Sequence, residues 1–177
     1  IMSTNRLIQI TVIGESETTE ENKKLAYELG RLIARRKLVL ICGGRTGVME
    51  MVCKGAMDEN PNSIRIAILP SEFKEEANPY CNIVIPTGIG FARNVINVLA
   101  GDGIIAIGGR AGTLSELAFA WVYGKPIVVL EGSGGWSNTL ANKKIDDRRP
   151  DKIYAVRKPE EALDLLLKLI HNRLNTD

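Results

Sequence analysis

Gly108-Gly109-Arg110-Ala111-Gly112-Thr113-Leu114-Ser115-Glu116 decides the reading of this 177-residue chain. The apolar run Gly103-Ile104-Ile105-Ala106-Ile107 precedes it, and Leu117-Ala118-Phe119-Ala120-Trp121-Val122-Tyr123, which reads as a helix, follows. A strand, a glycine turn and a helix start, in that order, make an anion cradle. Glycine lets the backbone approach a ligand, and the first helical N–H groups point at it. The device occurs twice: Leu38-Val39-Leu40-Ile41-Cys42 leads into Gly43-Gly44-Arg45-Thr46-Gly47 and then Val48-Met49-Glu50-Met51-Val52. Two such turns predict a phosphate or nucleotide site.

Working outward, the pattern repeats along the chain. Leu7 to Ile13 is β-branched and ends at Gly14, so it reads as a first strand whose turn is Gly14-Glu15-Ser16. Further strands are predicted at Ile64–Leu69, Asn82–Ile85, Ile127–Leu130 and Ile153–Val156. Between them, Leu25, Leu29, Leu32 and Ile33 share one helix face. The basic triplet Arg35-Arg36-Lys37 closes that helix at the negative end of its dipole. Phe91–Ala100 reads as a helix, as does Glu160–Leu174 with Pro159 at its first position. The polar stretch 131–152 is long for a connection, with a short helix expected around Ser137–Ile145. Strands apolar throughout and alternating with helices predict an α/β fold: a doubly wound, mainly parallel, Rossmann-like sheet with helices on both faces. Residues 1–177 read as one such nucleotide- or phosphate-binding domain, and Ile1 ahead of Met2 reads as a cloning remnant.

Composition removes several function classes. A net charge of +2 offers no general attraction for nucleic acid or an anionic membrane, so neither is expected as a partner. No apolar run approaches the roughly 18 residues that span a bilayer, and no signal-peptide pattern is visible. The three cysteines, Cys42, Cys53 and Cys81, lack metal-motif spacing and read as reduced thiols of a cytoplasmic protein. No metal and no cofactor is expected. The single histidine, His171, lies near the end of the last helix, which leaves a Ser-His-Asp triad or a multi-histidine zinc site without its parts. Acid–base work therefore falls to carboxylates.

The candidate residues cluster where strands end: Gly14; Gly43, Gly44, Arg45, Thr46 and Gly47; Arg93; and Gly108, Gly109, Arg110, Ala111, Gly112, Thr113 and Glu116. Neither cradle has the GxGxxG spacing after the first strand, and no Walker lysine follows Gly112. Glu116 admits two readings. It completes a capping box with Thr113, or its carboxylate activates water beside a bound phosphate. Arg93 opens a helix, where a cation is unfavourable unless an anion binds beside it. The forks of Arg45 and Arg110 can clamp phosphate oxygens or face solvent. Trp136 can stack on a ring or plug the core.

With these residues quoted, the chain resembles the LONELY GUY (LOG) superfamily, once labelled lysine decarboxylases. That family carries GGG-x-x-G-L-M-G after the second strand, an R-K pair, and P-G-G-x-G-T-x-x-E. The counterparts here are Gly43-Gly44-Arg45-Thr46-Gly47-Val48-Met49-Glu50, Arg93-Asn94 and Gly108 to Glu116. The resemblance implies hydrolysis of the N-glycosidic bond of nucleoside 5′-monophosphates, with Arg93 and Glu116 as the catalytic pair. Gly108 for the motif proline, Arg110 for a glycine and Asn94 for the lysine bring the chain closer to a sister branch. That branch includes the molybdenum cofactor carriers and DprA/Smf-related proteins, and it implies a carrier or sensor of a phosphorylated ligand of nucleotide or pterin type. No lysine sits where a pyridoxal Schiff base needs one, so a decarboxylase is not expected. The resemblance also implies homo-oligomers.

Overall fold

The computed structural model describes residues 5–175, so Ile1 and Met2 lie outside the described residues. The strands β1 (Gln9–Gly14), β2 (Val39–Cys42), β3 (Arg65–Leu69), β4 (Ile83–Pro86), β5 (Gly103–Ile107), β6 (Ile127–Leu130) and β7 (Tyr154–Val156) form one sheet. Their order is β4-β3-β2-β1-β5-β6-β7, and every neighbouring pair is parallel. The helices are α1 (Glu20–Arg35), α2 (Val48–Glu59), α3 (Arg93–Ala100), α4 (Ala111–Val122), α5 (Gly135–Thr139) and α6 (Pro159–Leu174). This is the doubly wound α/β fold expected from the alternation of apolar runs and helices, with a sheet that is parallel throughout.

A parallel sheet must be covered on both faces, and successive side chains of a strand point to opposite faces. Ile10, Val12, Leu40, Ile105 and Val128 pack with side chains of α1, α2 and α6 in the larger apolar cluster. Ile13, Ile104, Ala106, Ile127 and Val129 pack with Leu117, Ala120 and Trp121 of α4 and Val98 of α3. Each fully buried Leu or Ile contributes about 1.5–3 kcal/mol through area removed from water.

Local signals set the helix ends. The Thr19 hydroxyl accepts the Asn22 N–H at 3.1 Å and caps α1. Two of the three basic residues that close α1 pair with protein carboxylates. Arg35 pairs with Glu59 of α2 at 2.9 Å, and Arg36 pairs with Asp164 of α6. Among the described residues no helix is long and apolar enough to cross a membrane.

Two local expectations are corrected. Helix α4 begins at Ala111, not after Thr113, and no side chain caps it. The short helix of the 131–152 segment is Gly135–Thr139 instead of Ser137–Ile145. It is drawn forward because the Trp136 and Ser137 N–H groups donate to the carbonyls of Gly109 and Gly108, both at 3.1 Å. Gly135 makes this approach possible: its φ is +55°, and a Cβ there would stand 2.4 Å from the Gly109 carbonyl oxygen. Further along, Arg149 stacks 4.4 Å over the Trp121 ring and pairs with Asp151 at 2.7 Å. The segment is thereby tied to the sheet.

A cleft at the strand-order reversal

Strand β1 has β2 on one side and β5 on the other, so the chain leaves its two central neighbours in opposite directions. The crevice this leaves beyond the strand ends is where ligands enter open α/β sheets. Here it is a cleft of about 500 Å³. Of the residues singled out from the sequence, Gly14, Arg45, Thr46, Arg93, Arg110, Gly112, Thr113 and Glu116 line it. Glu15, Ser16, Met49, Pro70, Phe91 and Asn94 also contribute.

The remaining glycines lie behind this surface. Gly43 makes room for the Arg93 guanidinium, since a Cβ on it would come within 2.6 Å of an Arg93 nitrogen. Gly44 packs on Ala67 of β3, and Gly47, at φ +67°, lets the turn touch the backbone of Glu15 and Ser16. Gly108 and Gly109 are occupied by protein. The Ser133 hydroxyl accepts the Gly108 N–H at 2.8 Å, and the Glu15 carboxylate accepts the Gly109 N–H at 2.7 Å. Glu15 also accepts from the Thr18 hydroxyl at 2.9 Å. An anion does sit on the glycine turn, and it belongs to the chain. The anion-binding tendency of exposed turn amides explains why a carboxylate folds onto it. Ala111 follows as the first residue of α4.

What the glycine turn leaves for a ligand is the opening of α4. Its first intrahelical bond runs from the Leu114 N–H to the Arg110 carbonyl, so the N–H groups before Leu114 have no partner of that kind. Arg110 is exposed, and its side chain makes no ion pair or hydrogen bond among the described residues. Arg45, by contrast, is held at 2.9 Å by Glu76.

Arg93 is 8% exposed, and its guanidinium is fixed from three sides. It donates to the Ile68 carbonyl at 2.9 Å, to the Gly43 carbonyl at 3.4 Å and to the Asn94 amide oxygen. Burial holds its pKa below the usual arginine value, against the raising effect of the Glu116 charge. Strand β3, the turn after β2 and the neighbouring Asn94 of α3 therefore hold one buried cation at the cleft.

Glu116 is buried, and the capping-box reading is overturned. Because α4 starts at Ala111, Glu116 lies more than a turn inside it and turns toward α3. Asn97 donates to its carboxylate at 2.6 Å. Burial pushes the Glu116 carboxyl up to about 7, against the lowering effects of the Asn97 bond and the Arg93 charge. The amide oxygen of Asn97 is buried without a hydrogen-bond partner among the described residues. A protonated Glu116 carries the donor that this oxygen lacks.

Two features escaped the sequence reading. Phe91 lines the cleft with 84% of its surface exposed, an apolar ring at the entrance where solvent should disfavour it. Its position two residues before Arg93 is the signal that could have marked it. Asn97 sits one helical turn after Arg93, the spacing that puts both on one face of α3. Trp136 does not line the cleft; it packs against the apolar cluster beneath α4.

The chain is similar to known proteins over most of its length. It is 45% identical over 133 residues to an uncharacterized protein of Archaeoglobus fulgidus, covering 72% of this chain and 86% of that one. The structure of the molybdenum cofactor binding protein of Rippkaea orientalis matches at a TM-score of 0.83 and 36% identity, over 94% of this chain and 99% of that one. The molybdenum cofactor carrier protein of Chlamydomonas reinhardtii matches at a TM-score of 0.81 and 30% identity, over 94% and 99%. The resemblance read from the glycine turns pointed to this branch. With the SLOG cluster4 family model matching residues 7–163, from β1 into α6, the chain belongs to the SLOG cluster4 family.

Proposed function

We propose that the cleft binds and carries a phosphate-bearing small molecule with a flat ring, of pterin or nucleotide type. One observation carries this reading: the uncapped opening of α4 lies in the same cleft as Arg110, an exposed cation with no protein partner among the described residues. A phosphate there gains the helix-start N–H groups and a guanidinium fork together. Arg93 supplies a second positive charge from below, and Phe91 offers its ring to the flat part of the ligand. The molybdenum cofactor bound by the Rippkaea orientalis protein is a cargo of this chemistry.

The test is retention. Purified protein is incubated with molybdenum cofactor released from a denatured molybdoenzyme, or with AMP, then desalted and examined by native mass spectrometry. Retention of either by the wild type, and its loss in Arg110→Ala, is the expected result. A wild type that retains neither overturns the reading.

A second reading rests on Glu116. A buried carboxyl raised to about 7, in the same cleft as an arginine, suits general acid–base help in cleaving an N-glycosidic bond. Glu116 would assist water at the sugar carbon while Arg93 and the α4 opening hold the phosphate. Base release from a panel of nucleoside monophosphates distinguishes it from carriage, because a carrier retains its ligand intact.

We also propose self-association. The edge strand β4 exposes Ile83 and Ile85, and the α3 segment that follows exposes Ile96 and Leu99. Light scattering gives a mass above 19.4 kDa if these side chains are covered by a second copy.

A further inference from the structure

Cys42 closes β2, Cys53 lies in α2 and Cys81 precedes β4, so their spacings of 11 and 28 residues match no metal motif. The fold nevertheless brings the three together. The Cys42 and Cys53 sulfurs are 3.5 Å apart, those of Cys53 and Cys81 are 3.1 Å apart, and all three lie within 4.8 Å of one another. Cys42 and Cys53 are fully buried, and Cys81 is half-buried.

Three thiols can fill a core as small apolar groups, and their mutual hydrogen bonds and burial favour protonated Cys53, but two features here work toward negative charge on sulfur. The Gly44 N–H donates to Cys42 Sγ at 3.3 Å. Arg65 is 4% exposed, and its charge acts on Cys53 and Cys81. Its guanidinium is bonded to neutral acceptors, the Tyr80 carbonyl at 2.6 Å and the Ser63 carbonyl and hydroxyl at 2.7 and 2.8 Å. No carboxylate pairs with it among the described residues. Buried charges are normally paired, so the cluster faces a cation that lacks its counter-charge.

We propose that Cys42, Cys53 and Cys81 form a binding site for a soft, three-coordinate metal ion, Cu(I). Thiolates select soft ions, and a structural zinc site would need a fourth nitrogen, sulfur or carboxylate ligand. Among the described residues the cluster contains no His, Asp or Glu; the other groups at hand are hard oxygens, the Asn78 amide oxygen 3.5 Å from Cys81 Sγ and the Met49 carbonyl 3.9 Å from Cys42 Sγ, which a soft ion leaves alone. On binding, each thiol gives its proton to solvent and three sulfur–copper bonds form with no change of oxidation state. The resulting centre carries two negative charges, one of which Arg65 offsets. Trigonal bonds of about 2.3 Å put the sulfurs about 4.0 Å apart, so Cys81 and Cys53 part by roughly an ångström on loading. Cys81 stands outside any helix or strand, in the connection between β3 and β4, and takes that movement up by side-chain rotation.

The experiment titrates the anaerobically reduced chain with Cu(I) against a chromophoric Cu(I) chelator. The wild type withholds about one Cu(I) per chain, and X-ray absorption of the loaded protein gives three sulfur neighbours at about 2.3 Å. Cys81→Ser, at the half-buried position, keeps the native circular dichroism and surrenders the ion to the chelator; Cys53→Ala does the same. Wild type that withholds no copper, variants that withhold as much as wild type, or zinc retained in place of Cu(I) each overturns the proposal. Formation of a Cys53–Cys81 disulfide without bound copper does so as well. Because the readout is copper and not cleft ligand, the result is independent of the proposed cargo.

Discussion

Glu116→Gln separates the electrostatics of the cleft from its shape. Glutamine keeps the volume of the side chain and an oxygen to accept the Asn97 N–H, but it carries no titrating proton. The wild-type carboxyl titrates at about 7 when folded, against 4.5 as the ordinary value taken for the unfolded chain. A folded pKa above the unfolded one means that the native state holds the proton longer. Stability contributed by the neutral carboxyl is thus complete below pH 4.5 and is lost as pH rises through 7. The difference of about 2.5 pH units corresponds to about 3 kcal/mol at 1.36 kcal/mol per unit. Denaturant unfolding of ligand-free protein at several pH values from 4 to 8 measures this. Wild type minus Glu116→Gln should become more unfavourable by about 3 kcal/mol across that range, since the other titrating groups cancel in the difference. A difference that does not change with pH would show that Glu116 is not held neutral by burial, and the account of the site would fail with it.

Other expectations follow from the same geometry. Arg110→Ala weakens retention of AMP or molybdenum cofactor by roughly tenfold to a hundredfold, the worth of a charge-assisted bond, without changing the unfolding midpoint. The wild-type affinity falls with added salt, and equilibrium dialysis at two ionic strengths checks both. At Gly112 an added Cβ meets nothing within 4 Å, so Gly112→Ala holds or gains stability by up to about 1 kcal/mol while placing a methyl in the cleft and weakening ligand. Gly47→Ala is the opposite case. At φ +67° its Cβ would stand 2.4 Å from the Glu15 carbonyl oxygen, and thermal unfolding should show a loss of about 2 kcal/mol or more. For Asp102, burial opposes its charge, but bonds from Arg6 and the Gln9 N–H hold its carboxyl below the usual value. Asp102→Asn therefore costs about 1 kcal/mol at pH 7, and the gap to wild type closes as pH falls below 3.8.

The strands, the helices and the two glycine turns were legible because their signals are local. Gly103 to Ile107 is apolar throughout, the mark of a strand covered on both faces, and Gly108 and Gly109 mark its end. Arg93 and Glu116 stood out through their place beside such ends. Which groups meet is another matter, since it depends on register between segments far apart in the chain. Glu15 reaches Gly109 across 94 residues, and Asn97 reaches Glu116 only because α3 packs on α4. Arg93 faces the cleft, pinned by the carbonyls of β3 and of the turn after β2. The three cysteines meet because β2, α2 and the connection before β4 share one side of the sheet. Periodicity and turn chemistry in the chain alone were enough to determine a parallel sheet with an open crevice at its centre. Only the packed structure decided that the glycine turn is filled by the chain's own carboxylate, because burial and contact are properties of the whole set of neighbours, which no single stretch of sequence contains.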